Sequence, residues 1–503
     1  MHTLSRRSFL KTSALVTVGT ALSARSWGQV AGANGDIRVA VVGLNGRGRS
    51  HLQSLQRIKG VRVVALCDID TTVLARAKAS FASEGTEVKT HVDLRELLAS
   101  GDLDAVTIAS PNHQHSLQAI WACQAGKDVY VEKPVSHNVW EGRQLVAAAA
   151  KHQRVVQAGT QIRSGAGLQE AVAWVRAGNL GKITAARGFC YKRRESIGQA
   201  DGPLQIPSTI NFDLWCGPAP LVPPRRKRLH YDWHWVHVTG NGDVGNQGIH
   251  QMDIARWFLG ERGLPRTTLS VGGRLGYVDD GDTPNTQVVV HDYASAPLIF
   301  EVRGLPAKAG EAGAADEAGR TGKKGRGAGG VMDNYRGVGV GNVIDCEGGV
   351  VVTTNYFTAT AYDQAGKVLK EFKGVDRHMQ NFIDVVRSRK TAQLYGPIEE
   401  GHVSSALCHL GNISHVLGST VAPGVLREKI KGHAGLAEAT GRMIEHLAAN
   451  GVDAAKSPLT RGVPLTLAPG KESFQGEFAK EATPLLTRNY RAPFVVPDLS
   501  RMS

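Results

Sequence analysis

The sequence predicts an α/β protein in which an N-terminal doubly wound parallel sheet is followed by an α+β domain with a mostly antiparallel open sheet. Between residues 36 and 160, short continuous apolar segments alternate with amphipathic helical patterns. After Gly159 this alternation stops, and strand-like segments dominate the pattern. Continuous apolar strands separated by helices are typical of parallel sheets that helices cover on both faces.

The N-terminal pattern resolves into alternating strands and helices. The apolar strand segments are 37–43, 61–68, 88–90, 105–109, 129–131 and 155–158, and the helical segments between them are 48–57, 73–83, 94–99, 116–125 and 141–151. This alternation brings the carboxyl ends of the strands to one edge of the sheet, which is where ligands of such sheets bind.

A glycine-rich turn, Gly43-Leu-Asn-Gly46-Arg-Gly48, follows the first strand. Gly43 allows the tight turn, Gly46 lets the backbone approach phosphate oxygens, and Gly48 lets the next helix pack against the strand. The N-terminus of that helix then holds a pyrophosphate through its backbone N–H groups and its dipole. We therefore predict a dinucleotide-binding Rossmann domain, with Asn45 and Arg47 also in the cofactor site.

The second strand ends at Asp68, which follows Gly48 by 20 residues. A carboxylate at this offset reaches the adenosine ribose hydroxyls and repels a 2′-phosphate, so NAD is favoured over NADP. Asp68 can instead cap the following helix. Because Arg47 and Arg49 are able to neutralise a phosphate, NADP stays possible.

A second domain is predicted over residues 161–425, after the Rossmann domain of residues 34–160. Its expected strands are 183–191, 269–273, 286–291, 298–302 and 349–354, and its expected helices are 168–176, 376–386 and 402–417. Residues 304–341 are rich in Gly, Ala, Lys and Arg with few apolar anchors, which predicts a mobile surface insertion. Residues 426–503 form a C-terminal extension with a helix near 435–450 and an extended tail.

The first residues have the pattern of an export signal. Ser5-Arg6-Arg7-Ser8-Phe9-Leu10-Lys11 precedes a weakly apolar stretch, residues 12–24, and then Ala31-Gly32-Ala33. This predicts a twin-arginine signal peptide over residues 1–33, whose apolar part is too short for a stable membrane span. The twin-arginine route carries folded proteins, so we expect the chain to load its nucleotide in the cytoplasm and to act in the periplasm.

The composition argues against several classes of partner. The 503 residues carry a formal net charge of +14 at pH 7, but the basic residues are scattered or lie in loops, and no nucleic-acid motif is found. We therefore expect no nucleic-acid partner. No group of histidines and carboxylates has a convincing ligand arrangement, so no metal is predicted. The six cysteines lack a C-x-x-C pair, which favours small buried side chains over disulfides.

Two segments supply polar side chains to the carboxyl edge of the predicted sheet. Ser110, Pro111 and His115 follow the fourth strand, and Glu132-Lys133-Pro134 follows the fifth. A lysine beside a nicotinamide hydrogen-bonds a substrate hydroxyl while its charge favours the developing alkoxide. We predict that Lys133 is catalytic and that all of these residues but Pro134 line the cofactor site.

The second domain contributes a glycine-rich segment, residues 240–248, that leads into an apolar helix. Asn246 and His250 are four residues apart, on one face near the helix start. With a pKa near neutrality, His250 is able to take the proton of the hydroxyl whose carbon loses hydride. We predict that His250 is catalytic and that Asn246 contacts substrate, although an isolated histidine is more often structural.

Two further residues are predicted to contact substrate. His234 lies between Trp233 and Trp235, and such aromatic faces with interleaved hydrogen-bonding groups suit a sugar ring as well as they suit packing. Arg163 and the basic loop at 225–228 would favour an acidic or sulfated sugar. Basic loops are more often simply solvated, so this preference is an alternative to a neutral substrate.

The glycine-rich turn, Ser110-Pro111-x-x-x-His115, Glu132-Lys133-Pro134 and the segment ending in His250 together resemble the Gfo/Idh/MocA family of glucose-fructose oxidoreductases and inositol dehydrogenases. The resemblance covers about residues 36–425. It implies that Lys133 and His250 act on the substrate hydroxyl, and that the second-domain sheet forms the substrate face and a homo-oligomer interface. Many members have Asp where this chain has Asn246, so the amide is expected to position substrate instead of tuning the basicity of His250.

Three functions fit these residues. The first is an exported NAD(P)-dependent oxidoreductase acting on a hydroxyl of a sugar or cyclitol, with a tightly bound and recycled cofactor because free NAD is scarce outside the cytoplasm. The second is a redox-assisted glycoside hydrolase or lyase, in which oxidation at one sugar carbon acidifies its neighbour, a glycosidic substituent is eliminated, and the ring is reduced again. The third is a non-catalytic sugar-binding protein, against which the intact Lys133 and His250 argue.

Overall fold

The computed structural model describes residues 35–226, 228–308 and 332–499. The predicted export signal lies outside the described residues, and so does the centre of the predicted insertion, residues 309–331. Towards the end of that insertion, an isolated bridge joins Tyr335 to Val338, and a strand begins at Val340. This part of the predicted insertion therefore belongs to the folded second domain.

Within residues 35–160, the structure contains a six-stranded parallel sheet in the order β3-β2-β1-β4-β5-β6. The strands are β1 (Ile37–Val42), β2 (Val61–Cys67), β3 (Lys89–His91), β4 (Ala105–Ile108), β5 (Asp128–Val131) and β6 (Val156–Ala158). Strands β4 and β5 are buried at every position because helices cover both faces of the sheet. The predicted doubly wound parallel sheet is confirmed, and the strand order reverses between β1 and β4, which is where such sheets open a ligand crevice.

The helices of this domain differ in how their N-termini are capped. They are α1 (Arg47–Leu55), α2 (Thr71–Ser83), α3 (Leu94–Ala99), α4 (His115–Gln124) and α5 (Val139–Lys151). Side chains of Asp70, Asp93 and Asn138 cap α2, α3 and α5 by accepting a backbone N–H. Helix α1 starts after Gly46 and has no side-chain cap. The Gly48 N–H donates to the Asn45 carbonyl oxygen at 2.9 Å, and no side chain competes with a phosphate for the start of the helix.

The second domain is built on a sheet that has twelve strands in the described part of the chain. Its main path runs β14-β13-β12-β11-β7-β10-β9-β8-β16-β15, and β7 and β10 are its one parallel pair among the described ladders. The predicted mostly antiparallel sheet is confirmed. The strands are β7 (Ile183–Tyr191), β8 (Thr267–Gly273), β9 (Thr286–Asp292), β10 (Pro297–Arg303), β11 (Val340–Cys346), β12 (Gly349–Thr353), β13 (Ala359–Asp363), β14 (Val368–Phe372), β15 (Ser419–Val421), β16 (Leu459–Arg461), β17 (Leu465–Leu467) and β18 (Phe474–Gln475).

Helices pack on both faces of this sheet. The helices after the Rossmann domain are α6 (Ala166–Arg176), α7 (Phe212–Cys216), α8 (Ile249–Leu259), α9 (His378–Ser388), α10 (Ile398–Val416), α11 (Pro423–Ile430), α12 (Ala434–Ala449) and α13 (Ala479–Ala482). Of these, α9 packs in the Rossmann core and α7 lies in a separate small cluster, so neither covers the second sheet. Met252 and Phe258 of α8 pack with Phe300 of β10 in one buried cluster. This packing fixes the start of α8, and with it His250, against the side of the sheet that faces the Rossmann domain.

The C-terminal extension covers part of the opposite sheet face. Leu426 of α11 and Met443 of α12 are buried in one cluster with Val271, Val288 and Ile299 of the central strands β8 to β10. The family resemblance implied an oligomer interface on this sheet. That oligomer stays a prediction, and a partner copy would have to use strands beyond β8 to β10 because the chain's own helices already cover them.

The last described residues return to the Rossmann domain. We call residues 487–499 the C-terminal tail. Its side chains Phe494, Val496 and Leu499 are buried in the same cluster as residues of β4, β5 and α4. The predicted extension over residues 426–503 is thus divided between the two domains, since its earlier part adds strands β16 to β18 to the second sheet.

Two further predictions concern membranes and cysteines. In the stretches that the structure describes, none of the helices is both long and apolar enough to span a membrane. All six cysteines are free, and all but Cys346 are buried. The interpretation of the cysteines as buried apolar side chains is confirmed for the other five.

Candidate functional site

A cleft of about 470 Å³ lies between the carboxyl edge of the Rossmann sheet and the second domain. It is large enough for a nucleotide-sized ligand. Of the residues predicted for the site, all but Gly48 and Arg163 line it: Gly43, Asn45, Gly46, Arg47, Asp68, Ser110, Pro111, His115, Glu132, Lys133, His234, Asn246 and His250. The structure thus brings the predicted cofactor residues and both predicted catalytic residues to one place.

The glycine turn has the space that a diphosphate needs. Gly43 has φ +79°, and a Cβ there would lie 2.8 Å from the backbone of Ala109 and Ser110. Gly46 has φ +45° and nothing within 4 Å of its Cβ position, so the backbone there is open towards the cleft. At Gly48 a Cβ would lie 1.7 Å from the carbonyl oxygen of Gly43. Gly48 therefore serves the close packing of α1, as predicted, without lining the cleft.

Asp68 holds the glycine turn in place. Its Oδ2 accepts the backbone N–H of Leu44 at 2.8 Å, and its Oδ1 accepts that of Asp70 at 3.0 Å. Burial raises the pKa of this carboxyl. The alternative interpretation of Asp68 as a helix cap is wrong, because Asp70 caps α2. Each carboxylate oxygen keeps a further lone pair, which is available to ribose hydroxyls in the cleft.

Glu132 is buried at the end of β5 and joins Arg47 to His51. Its Oε1 lies 2.6 Å from Nε of Arg47 and 3.0 Å from Nε2 of His51. Burial disfavours the carboxylate, but the charge of Arg47 and the hydrogen bond from His51 outweigh it and hold the pKa of Glu132 well below its usual range. Glu132 thus orients the Arg47 side chain, whose guanidinium is already paired before any phosphate binds.

His115 joins the loops that follow β4 and β5. Its two ring nitrogens lie 2.7 Å from the carbonyl oxygens of Pro134 and Ser110. Burial lowers the pKa of the ring, which favours the neutral form. His115 therefore fixes the shape of the cleft wall around Ser110 and the Glu132-Lys133-Pro134 segment.

Lys133 reaches across the cleft to the second domain. Its Nζ donates to the backbone carbonyl oxygen of Asn246 at 2.6 Å. Burial lowers the pKa of Lys133, and the nearby Glu132 carboxylate partly offsets this effect. The ammonium retains two further N–H donors for a substrate oxygen.

His250 lies in the first turn of α8 and is 3% exposed. Among the described residues no hydrogen-bond partner is found for its ring, and Nδ1 is fully buried. The ring of Tyr356 lies 5.3 Å away, centroid to centroid. Burial first, and then the charge of Lys133, lower the pKa of His250 to about 3. The sequence-based expectation of a pKa near neutrality is therefore wrong, because the ring is buried and lies near the Lys133 ammonium.

Asn246 contributes its backbone as well as its side chain. It lies in a π-helical turn, Val244–Gly248, that leads into α8. Asn246 and His250 are four residues apart, as predicted, but Asn246 lies in a turn that is wider than the predicted α-helix. The backbone carbonyl oxygen of Asn246 positions Lys133 by accepting its hydrogen bond. Such turns are frequent at functional sites.

Arg163 is not brought to the cleft. Its guanidinium donates to both carboxylate oxygens of Asp253 at 2.7 and 2.8 Å and to Glu400 at 3.1 Å. It also lies over the ring of Trp257 at 5.1 Å. Two carboxylates compensate a guanidinium that is buried in the second domain, so the prediction that Arg163 contacts substrate has no geometric support.

His234 lines the cleft, but its ring is held by neighbours. Nδ1 lies 2.6 Å from the carbonyl oxygen of Tyr231, and the ring stacks on Trp233 at 3.6 Å between centroids. Burial lowers its pKa to about 3. Two arginines of the basic loop at 225–228 also have protein partners. Arg226 is buried over the Trp215 ring, and Arg228 forms an ion pair with Asp232 at 2.9 Å.

Several cleft residues were not predicted. Gln161 follows β6, Lys192 and Arg194 follow β7, and Tyr356 follows β12. The rule that ligands meet the carboxyl edge of a parallel sheet would have found Gln161. Trp121 and Phe494 also line the cleft, and no local pattern points to Phe494, which is nearly 400 residues further along the chain. In the described chain, no group of three or more His, Cys, Asp or Glu side chains is placed to hold a metal ion.

Two family models match the chain in succession. Residues 37–160 match the Gfo/Idh/MocA model described as an oxidoreductase family, NAD-binding Rossmann fold, and residues 171–274 match the model of its C-terminal alpha/beta domain. The first match covers the whole parallel sheet and all the predicted cofactor residues. The second includes Asn246 and His250.

Similar proteins include two kinds of enzyme. Glycosyl hydrolase family 109 protein 2 of Shewanella sp. (strain ANA-3) is 34% identical over 176 residues, which are 31% of this chain and 39% of that protein. Inositol 2-dehydrogenase 1 of Saccharopolyspora erythraea is 39% identical over 125 residues, 24% of this chain and 36% of that protein. The chain thus matches less than half the length of these relatives.

Solved structures show the same fold. The WlbA dehydrogenase of Bordetella pertussis, in complex with NADH and UDP-GlcNAcA, superposes with a TM-score of 0.52 at 19% identity over 75% of this chain and 95% of that one. An oxidoreductase of Agrobacterium radiobacter, in complex with NAD+, L-tartaric acid and magnesium, gives 0.51 at 15% identity over 75% and 95%. The successive model matches, with the Rossmann sheet and the glycine turn in place, show that this chain belongs to the Gfo/Idh/MocA oxidoreductase family.

Proposed function

We propose that this protein is an exported NAD(P)-dependent oxidoreductase that acts on a hydroxyl group of a sugar or cyclitol and keeps its cofactor bound between turnovers. The observation that carries the proposal is the meeting of Lys133 and His250. They come from different domains and line one cleft. The Lys133 ammonium donates a hydrogen bond to the backbone carbonyl oxygen of Asn246, which lies four residues before His250.

The cleft suits a nicotinamide dinucleotide. The uncapped start of α1 and the open Gly46 backbone would hold the diphosphate, and Asp68 would meet the adenosine ribose hydroxyls. Asp68 favours NAD, while the pairing of Arg47 with Glu132 leaves less positive charge for a 2′-phosphate. When bound, the nicotinamide accepts and returns a hydride.

Lys133 and His250 divide the work on the substrate hydroxyl. The Lys133 ammonium donates a hydrogen bond to the hydroxyl oxygen and stabilises the alkoxide that forms. The neutral His250 ring, which has no hydrogen-bond partner among the described residues, accepts the proton. A pKa of about 3 makes His250 a poor base by itself, so the alkoxide must be stabilised by Lys133 for this transfer to be favourable.

The test is to replace Lys133 with Ala and measure turnover together with bound nucleotide. We expect turnover to fall roughly 10²- to 10⁴-fold, in line with the loss of an acid–base group. Mass spectrometry and absorbance should show the nucleotide still bound. Unchanged turnover with retained nucleotide would remove Lys133 from the mechanism.

The redox-assisted glycoside hydrolase is the second candidate. It is supported by the similarity to a family 109 glycosyl hydrolase, which is 34% identical over 176 residues. Oxidation at one carbon would acidify its neighbour, which would lose a proton as the glycosidic substituent leaves with its bonding electrons. In the hydrolase, water would then add across the resulting double bond and the hydride would return to the oxidised carbon; in the lyase, the double bond would remain. Incubation with aryl glycosides without added nucleotide distinguishes the candidates: aglycone release supports elimination, whereas hydride exchange between two sugars supports the oxidoreductase.

Export to the periplasm rests on the Arg6-Arg7 pattern of the first residues. Cell fractionation checks it. We expect the wild-type protein in the periplasm and the double variant Arg6→Lys, Arg7→Lys in the cytoplasm, both carrying nucleotide. Equal distribution of the two proteins would contradict a twin-arginine route.

A further inference from the structure

We propose that the C-terminal tail completes the adenine end of the cofactor site, with Phe494 as the residue that contacts the base and slows nucleotide release. The inference rests on the proposed function in one respect, since it takes the ligand to be a nicotinamide dinucleotide. It adds a cofactor-binding segment that neither of the matched domain regions contains, because they end at residue 274.

The ends of the cleft are distinguished by their residues. Lys133, His250 and Tyr356 form the end where the hydroxyl chemistry is proposed. The diphosphate belongs beside the glycine turn, in the middle, because α1 begins there. The remaining end, beyond Asp68, is lined by Val92, Asp93, Leu94, Trp121, Leu214, Trp215 and Phe494. Apart from Asp93, these side chains are apolar or aromatic, which suits a purine base.

Phe494 is built into this end of the cleft. It is 2% exposed, its ring lies 6.2 Å from that of Trp121, and Arg95 lies over both rings at 5.4 and 5.8 Å. Val496 and Leu499 anchor the following residues in the Rossmann core. The Leu499 N–H also donates to Gln144 at 2.6 Å. The two neighbouring rings at this end of the cleft therefore come from distant parts of the chain, Trp121 from α4 and Phe494 from the C-terminal tail.

The same tail is fastened to the polypeptide that closes the cleft from the other side. Arg491 donates to the carbonyl oxygen and to Oδ1 of Asp213, both at 2.6 Å, and to the carbonyl oxygen of Ala219 at 3.2 Å. Asp213 belongs to α7, whose next two residues line the cleft. Arg488 reaches the Val238 carbonyl oxygen at 3.1 Å. The tail thus ties α7 to the Rossmann domain across the adenine end.

This arrangement has a consequence for the cofactor. A dinucleotide whose adenine lies against Trp121 and Phe494 leaves only if α7 and the tail move apart or the base slides along the cleft. Slow release is what a periplasmic enzyme with a recycled cofactor needs. The tail supplies it from residues that take no part in the chemistry.

The test compares Phe494→Ala with Val496→Ala in the holoenzyme. Both remove a buried apolar side chain from the same tail, but only Phe494 lines the cleft. We expect NAD to dissociate roughly tenfold faster from Phe494→Ala, as for loss of one base–aromatic contact, and at the wild-type rate from Val496→Ala. Nicotinamide mononucleotide, which lacks adenine, should bind both variants and the wild type alike.

Other release rates or binding results would overturn either the inference about Phe494 or the proposed function. If Phe494→Ala releases NAD at the wild-type rate, or if Val496→Ala releases it equally fast, Phe494 has no contact with the base and the inference is overturned. A wild-type protein that binds neither nucleotide overturns the proposed function itself. If Phe494→Ala does not fold, Phe494→Leu keeps most of the apolar volume and should still release NAD faster.

Arg491→Ala provides a second measurement at a residue that does not itself line the cleft, although its guanidinium lies over the Phe494 ring at 4.5 Å. Loss of its hydrogen bonds to Asp213 and Ala219 should loosen the tail from α7 and speed NAD release roughly threefold to tenfold. Release of nicotinamide mononucleotide should not change. An unchanged NAD release rate would show that the tail does not control the adenine end.

Discussion

The two sides of the cleft differ in how far their polar groups are already satisfied. On the Rossmann side, Glu132 is bonded to Arg47 and His51, and Asp68 to two backbone N–H groups. On the second-domain side, the His250 ring has no hydrogen-bond partner in the described residues. Lys192 of the same side is exposed and forms no ion pair with a described carboxylate.

This difference suggests separate roles for the two sides of the cleft: binding of the cofactor and reaction with the substrate. A side whose polar groups are paired in advance is rigid, and a rigid site loses little entropy when a cofactor of constant shape binds. On the second-domain side, Arg194 and His234 are paired, but the His250 ring and Lys192 stay available to a polar ligand that enters. We therefore propose that the first domain positions the cofactor and that the second supplies the substrate chemistry, with Lys133 as the residue that reaches from the first to the second.

The largest effect is expected at the unpaired side. His250→Ala should lower kcat roughly 10²- to 10⁴-fold, because the hydroxyl loses its proton acceptor. Nucleotide content and the thermal unfolding midpoint should stay close to wild type, since the ring has no hydrogen-bond partner among the described residues to lose. Steady-state kinetics and mass spectrometry check this. A fall in nucleotide content that matches the fall in kcat would place His250 on the cofactor side instead.

On the Rossmann side of the cleft, a substitution should lower the free energy of unfolding. Gly48→Ala places a Cβ 1.7 Å from the Gly43 carbonyl oxygen, so the turn must open, at a cost of about 3 kcal/mol. We expect a loss of that size in the free energy of unfolding, with loss of bound nucleotide. Gly424→Ala in α11 is the matched control, because its Cβ meets open space. Denaturant unfolding curves that coincide for the two variants would contradict the tight packing at Gly48.

The pH dependence tests the link between the sides. Burial lowers the pKa of Lys133, and the Glu132 carboxylate partly offsets this. Glu132→Gln should therefore lower the pKa of Lys133 below its wild-type value, so that the lysine loses its proton at a lower pH. The basic limb of kcat/KM should move to lower pH. Glu472→Gln, which removes a carboxylate paired with Arg143 and His402 outside the cleft, should leave that limb in place. A basic limb that does not move in Glu132→Gln would mean that another group controls it.

The smallest effect is expected from Asn246→Asp. A carboxylate four residues before His250 should raise the pKa of that ring from about 3, because it favours the imidazolium. The acid limb of kcat/KM should move to higher pH, with a modest change in kcat. Asn246→Ala removes the amide without adding charge and should leave the acid limb unmoved. A pH profile identical in Asn246→Asp and wild type would show that the side chain does not face His250.

Much of the fold was predictable because the signals are local. The continuous apolar strands 37–43, 105–109 and 129–131 and the helices between them follow from short periodic patterns, and the observed elements differ from the predicted ones by a residue or two at most ends. Strand β7 matches its predicted bounds, Ile183–Tyr191. Strands β11, β13 and β14 were not among the predicted strands, and β11 begins inside the predicted insertion. The short strands β15 to β18 were also missed, because two or three residues carry too little pattern and their pairing comes from distant parts of the chain.

The candidate site was predictable only in part. Residues next to strand ends, such as Asp68 and Lys133, could be placed because the carboxyl edge of a parallel sheet is one place in space. Arg163 could not, since its sequence neighbours do not reveal Asp253 and Glu400, which come from other helices. The pKa of His250 was misjudged for the same reason, because burial is a property of the packed structure.

The sequence alone determined the two-domain α/β architecture, the nucleotide-binding turn and the identity of the lysine and histidine that the cleft unites. These depend on neighbours within a few residues, where backbone geometry and hydrophobic periodicity dominate. Tertiary structure decided which charges are paired, how deeply His250 is buried, and that Phe494 lines the cleft beside Trp121. Those properties depend on contacts between segments far apart in the sequence, for example 85 residues for Arg47 and Glu132, and no local pattern records them.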